Sequence, residues 1–190
     1  MIRELVVVIL LLGLSSGCAN PVNQATSDRY SQACLDAQRN NQLSTAEQAC
    51  YRALVNVDWG NLGETQKSQK MYNLARVKRS LQKFDEAEKL YWESLAIEEK
   101  QAQPSNEKIG RRLAELSLVY AQQNKFDEGL AFVQRLRPLA DTYQGNEKKT
   151  MAAIFYVYSQ ELPQSVSSEI KNELEKKAVE MGFDPKTYKK

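Results

Sequence analysis

Histidine is absent from all 190 residues. Nucleophilic catalysis on a Ser–His or Cys–His plan has no base to draw on, and zinc sites built on His/Cys clusters are excluded as well. Glycine occurs 8 times and proline 5 times. No glycine-rich phosphate loop is present, and these residues fall mostly between apolar-periodic segments, the distribution of an all-helical domain. Charge of one sign is missing too: 26 Lys and Arg against 24 Asp and Glu leave +2, too weak a bias to propose nucleic acid. The chain has one long apolar run, Leu5 to Leu14, which is too short to span a bilayer as a stable helix.

Met1-Ile2-Arg3-Glu4 precedes that run and Ser15-Ser16-Gly17-Cys18 follows it. A charged start, an apolar middle and small residues before a cleavage point describe a secretory signal. Leu14-Ser15-Ser16-Gly17-Cys18 resembles the bacterial lipobox, with Ser15 where that motif usually has Leu. The resemblance implies that residues 1–17 are removed and that Cys18 becomes the lipidated (palmitate-bearing) first residue. A plain secretory signal with an incidental cysteine is the competing reading. Ala19, not Asp, follows the cysteine, which in a Gram-negative cell implies an outer-membrane lipoprotein facing the periplasm. Each buried methylene of such a lipid contributes about 0.8 kcal/mol of anchoring. Asn20 to Ser27 is polar and aperiodic. Residues 18–26 are therefore expected to form a lipidated tether, 27–183 a helical domain and 184–190 a polar tail.

Within the domain, Lys83-Phe84-Asp85-Glu86-Ala87 returns as Lys125-Phe126-Asp127-Glu128-Gly129. Around each copy the apolar residues keep helical spacing. Met71, Leu74, Ala75, Val77 and Leu81 precede the first turn; Phe84, Ala87, Leu90, Tyr91, Leu95 and Ile97 follow it. Leu113, Leu116, Ser117, Val119 and Tyr120 precede the second turn, and Phe126, Gly129, Leu130, Val133 and Leu136 follow. A fainter pair joins Tyr30, Ala33, Cys34 and Ala37 to Leu43, Ala46, Ala49, Cys50, Ala53 and Leu54. Recurrence of helix pairs predicts a stack of hairpins, an extended solenoid with a binding surface along it. After Asp141 the pattern decays into two amphipathic segments, around Met151–Tyr158 and Val166–Met181, the second ended by Gly182. A polar-faced final pair is how a solenoid is capped.

Leu74-Ala75, Phe84, Ala87, Tyr91 and Ser94-Leu95, with Leu116-Ser117, Tyr120, Phe126, Gly129 and Leu136, make the chain resemble tetratricopeptide repeats (TPR) over roughly residues 27–142. The long spacing, the stretch Ser94 to Lys100 and the following Pro104 are similar to the repeats of kinesin light chains. The first pair departs from the motif, lacking the aromatic near Leu43, and the signature Trp of the first helix is missing. The resemblance implies an all-α, right-handed solenoid of about three repeats plus a C-terminal capping pair, with no cofactor and no catalysis of its own. The first helices of successive pairs would line the concave face. Tyr72, Asn73, Arg76, Arg79 and Arg111 then become candidate contacts for a peptide, with Lys108, Arg112 and Glu115 as further non-core positions. Three arginines would form a cationic stripe suited to an acidic segment or a C-terminal carboxylate; a solvated charged helix face is the bland alternative.

Cys34 and Cys50 lie on opposite helices of the first pair. An oxidising compartment permits a disulfide between them; two small buried thiols are the other outcome. Glu93-Ser94 is the one hint of an enzyme, since some periplasmic lytic transglycosylases carry a Glu-Ser pair. No Gly-Leu-Met-Gln-like segment follows it, and Ser94 falls on a helix-packing position. The sequence therefore predicts a lipid-anchored periplasmic adaptor, with a chaperone or assembly factor of a secretion or pilus system as the alternative.

Overall fold

Each apolar stripe folds into one helix of a hairpin, and the hairpins stack. The computed structural model describes residues 19–187. Along them run α1 (Pro21–Arg39), α2 (Leu43–Trp59), α3 (Glu64–Ser80), α4 (Phe84–Glu99), α5 (Asn106–Gln122), α6 (Phe126–Leu136), α7 (Gly145–Glu161) and α8 (Ser168–Glu180), with short 3-10 turns at Arg137–Thr142 and Pro185–Thr187. The helices pack chiefly as the neighbouring pairs α1/α2, α3/α4, α5/α6 and α7/α8, and each pair packs on the next.

The turns share one device. After α1, α2, α3 and α5 the chain steps through Asn41, Asn61, Gln82 and Asn124, all at positive φ. At each, two reversed backbone bonds close the helix end, as in Gln42 N–H to the Ala37 carbonyl (2.8 Å) and Asn41 N–H to that of Gln38 (3.0 Å). This is the Schellman closure, which satisfies carbonyls a helix would otherwise leave open. Asparagine tolerates the left-handed conformation better than most side chains. The α8 end uses Gly182 (φ 93°) in the same role.

Two apolar clusters form along the stack. The smaller joins Cys34, Ala37, Ala46, Ala49, Cys50 and Leu54 to Met71, Leu74 and Val77 of α3. The larger runs from Ala75 to Met181 and holds Tyr91, Tyr143, Phe155, Tyr156 and Tyr158. Phe155, Tyr156 and Tyr158 are buried within the C-terminal cap. Small residues set the spacing between pairs: a Cβ on Gly129 would lie 2.0 Å from the Tyr158 hydroxyl, which donates to the Ser117 carbonyl at 2.7 Å.

The N-terminal boundary differs from the expected tether. Asn20 caps α1 by accepting the Val22 N–H at 3.0 Å, and Pro21 occupies the first helical turn. Both are strong helix-start signals. The first turns of α1 show no apolar period because Ser27 is the first residue the helix buries, its hydroxyl donating to the Ala53 carbonyl at 2.9 Å. Residues 1–18, including Cys18 and the expected signal segment, lie outside the described residues, as do 188–190 of the expected tail. Among the described residues no helix is long and apolar enough to cross a membrane.

Candidate functional site

First helices touch one another along the stack, α3 on α5 and α5 on α7, more than second helices of neighbouring pairs do. The side lined by α3, α5 and α7 is accordingly the inner one. Tyr72, Asn73, Arg76 and Arg79 are carried by α3 and Arg111 by α5.

The structure brings these residues to one side but does not make them a cationic stripe. Glu115 on α5 reaches across to α3. Its carboxylate takes the Arg79 Nε–H at 2.9 Å and the Tyr91 hydroxyl at 2.9 Å, and Arg76 Nε lies 3.7 Å away. Arg111 is paired with Glu107 at 2.6 Å and with Glu147 of α7 at 2.8 Å. Two arginines share one carboxylate, and a third faces two. The side is zwitterionic, and its arginines clamp successive first helices together. Asn73 accepts a hydrogen bond from Gln69 at 3.1 Å. Of the set, Arg76 is the most available, with 44% of its side chain exposed.

Tyr72 is half-buried, edge-on to Tyr91 with ring centroids 5.9 Å apart, and lies under the guanidinium of Arg112 at 4.7 Å. Burial raises its hydroxyl pKa above the ordinary value, and the Glu115 charge adds to that. The same causes act more strongly on Tyr91, so both phenols stay neutral donors.

Arg112, expected at a non-core position, is buried with 1% of its side chain exposed, as is its partner Glu98. Arg112 donates to Glu98 Oε1 at 3.1 Å, to Ser94 Oγ at 3.0 Å and to Ser68 Oγ at 3.2 Å. Ser68 in turn donates to Glu98 at 2.8 Å. The network ties α3, α4 and α5 at one point. Ser94 is thus part of a structural knot, bonded to Ser68 and Arg112. Burial lowers the Arg112 pKa while Glu98 opposes the shift. Spacing carried a signal for Glu98, which continues the buried stripe of Tyr91 and Leu95 on α4.

Cys34 and Cys50 are joined as a disulfide across α1 and α2, with Cα atoms 5.2 Å apart, inside the range such bonds require. Among the described residues no His/Cys/Asp/Glu cluster is arranged to hold a metal.

The architecture has close counterparts among solved structures. BtubC (BKLC) from P. vanneervenii superposes with a TM-score of 0.71 over 88% of this chain and 69% of that one, at 15% identity. A Podosopora anserina candidate kinesin light chain with nearly identical TPR-like repeats superposes with a TM-score of 0.62 over 82% of this chain and 74% of that one, at 14% identity. A substituted form of that same protein gives 0.63 at 13% identity over the same shares. The fold is a TPR-like solenoid. No family model matches the sequence, and no curated protein matches it. The likeness at this level of identity concerns the fold alone.

Proposed function

We propose that this chain is a lipid-anchored periplasmic adaptor that holds a segment of another envelope protein along the inner side of its TPR-like stack. The observation that carries the binding side is the convergence of Tyr72, Asn73 and the exposed Arg76 on α3, beside Glu115 and Arg111 of α5. These supply an aromatic edge, an amide and a mixed set of charges on one face. With the arginines matched by Glu107, Glu115 and Glu147, the partner segment is recognised through polar and backbone groups, with Arg76 taking a carboxylate where one is offered. The anchor rests on the lipobox-like Leu14-Ser15-Ser16-Gly17-Cys18, and the envelope partner follows from that compartment.

The test is crosslinking in the producing cell followed by capture of the chain, with wild type beside Arg76→Glu. Arg76 is chosen because it is the exposed arginine of the inner set and its ion pair is the longest there, while Arg79 holds Glu115 through a separate, shorter contact. An envelope protein recovered with wild type and lost with the variant, at an unchanged melting temperature, is the expected result. Equal recovery from both would remove the inner side from consideration. Replacing Cys18 with Ser should abolish labelling by radioactive palmitate; persistent labelling sinks the anchor.

A further inference from the structure

The stretch after Cys18 leaves almost no free chain. Helix α1 begins at Pro21, and the Asn20 N–H is already bonded to the Gly60 carbonyl at 2.9 Å. Only Ala19 separates Cys18 from that bonded residue. Consecutive Cα atoms are about 3.8 Å apart, so Cys18 lies within about 8 Å of Asn20 whatever the local conformation. The interfacial layer on each side of a bilayer's hydrocarbon core is itself about 5–8 Å deep. A lipid on Cys18 would therefore hold this end of the first helix pair within the headgroup layer, not on a string above it.

That end carries two large apolar side chains in the open, among polar neighbours such as Asn20, Asp58, Asn61 and Glu64. Trp59, the last residue of α2, is 77% exposed, and Val22, in the first turn of α1, is 71% exposed. The two helix ends are fixed to one another. A Cβ on Gly60 would lie 2.5 Å from the Asn23 Cβ, so α1 can seat there only because residue 60 has no side chain. Asn23 also donates to the Asn56 side chain at 3.3 Å. The carboxylate next to Trp59, Asp58, is matched by Lys67 at 2.9 Å; Glu64 beside the same hollow leaves one negative charge, so the contact is apolar and not an electrostatic attraction to an anionic surface. An exposed indole, with an apolar body and one N–H donor, is the side chain best suited to the boundary between acyl chains and water. Trp59 is the most exposed of the large apolar side chains among the described residues, and the chain leading to the anchor ends beside it.

We infer that Val22 and Trp59 form a lipid-contacting tip, which seats the first helix pair in the headgroup layer and fixes how the stack stands on the membrane. The inference rests on the anchor reading proposed above, and its test separates the two. The full chain carrying Trp92→Phe, which leaves Trp59 as the one tryptophan, is purified from membranes. It is then reconstituted into phosphatidylethanolamine/phosphatidylglycerol vesicles with and without brominated acyl chains. The mass of the N-terminal peptide reports the lipid independently.

With the lipid present, Trp59 emission should move to shorter wavelength, lose intensity with brominated chains and become protected from aqueous acrylamide. Emission that stays water-like and open to acrylamide in the lipidated protein overturns the tip and leaves the anchor standing. If the peptide carries no lipid, the anchor falls and the tip, which rests on it, falls with it. A shift to shorter wavelength that ignores bromine and grows with protein density means that a second copy covers Trp59, which also overturns the lipid contact.

Discussion

At the scale of single residues, the buried Arg112–Glu98 pair makes the sharpest demand. Removing one charge strands the other in the core, a change that typically costs about 3–5 kcal/mol, whereas replacing both with apolar residues is often close to neutral. Arg112→Met should sit near the low end, because Lys108 Nζ stays 3.7 Å from Glu98. Adding Glu98→Leu should recover most of the loss in urea melts; a double variant as weak as the sum of its singles would show the two are uncoupled. Glu47 behaves differently, since it is held by Lys78 and Lys83, each at 2.8 Å. Their hydrogen bonds lower its pKa below the ordinary 4.5. A carboxylate with a lowered folded pKa contributes stability that is complete above its unfolded value and lost as pH falls through the folded one. Glu47→Gln should therefore melt below wild type at pH 7, with the gap closing under acid conditions below pH 4.5. A gap independent of pH would assign the loss to packing.

At the scale of elements, the helices and their pairing were legible because apolar residues recur at helical spacing with a long repeat. The turns were legible only as polar gaps; what closes them is a left-handed residue, Asn at three of the positions and Gln82 at the fourth. Gln82→Gly should therefore stabilise the chain by about 1 kcal/mol, the scale of the left-handed penalty it relieves, as read by thermal melting; no gain would mean that Gln82 makes a compensating contact. Gly129→Ala should do the opposite. A methyl there meets the Tyr158 hydroxyl and endangers its bond to Ser117. Such overpacking costs about 1–3 kcal/mol, more than the roughly 1 kcal/mol that alanine returns in helix propensity. Two local features escaped the sequence reading for physical reasons. The start of α1 hides because a helix turn that buries nothing shows no apolar period. Arg112 hides because its partners, Ser68, Ser94 and Glu98, belong to two other helices. The inner side was legible as a set of positions and misjudged in charge, since Glu115 and Glu147 reach its arginines only once the helices are stacked.

At the scale of the whole molecule, pairs contact mainly their neighbours, so stability is distributed along the stack. The first pair has a core of alanines and cysteines, whereas the C-terminal half packs Tyr143, Phe155 and Tyr158. Apolar burial scales with area, so the first pair depends most on its disulfide. A bond closing a loop of this length, at a sequence separation of 16, contributes about 3 kcal/mol. Reduction, or Cys34→Ala with Cys50→Ala, should raise amide exchange over residues 21–59 well before residues 145–180. Uniform acceleration would mean that the stack melts as one unit. The same bond has a mechanical consequence if the chain hangs by Cys18 and a partner pulls on the stack. Tension entering at the N-terminus can peel α1 only as far as Cys34, a slack of about 25–30 Å once the helical rise of the same residues is subtracted from their extended length. The load then crosses directly to Cys50, bypassing the intervening turn, so the first hairpin becomes a shock absorber with a covalent stop.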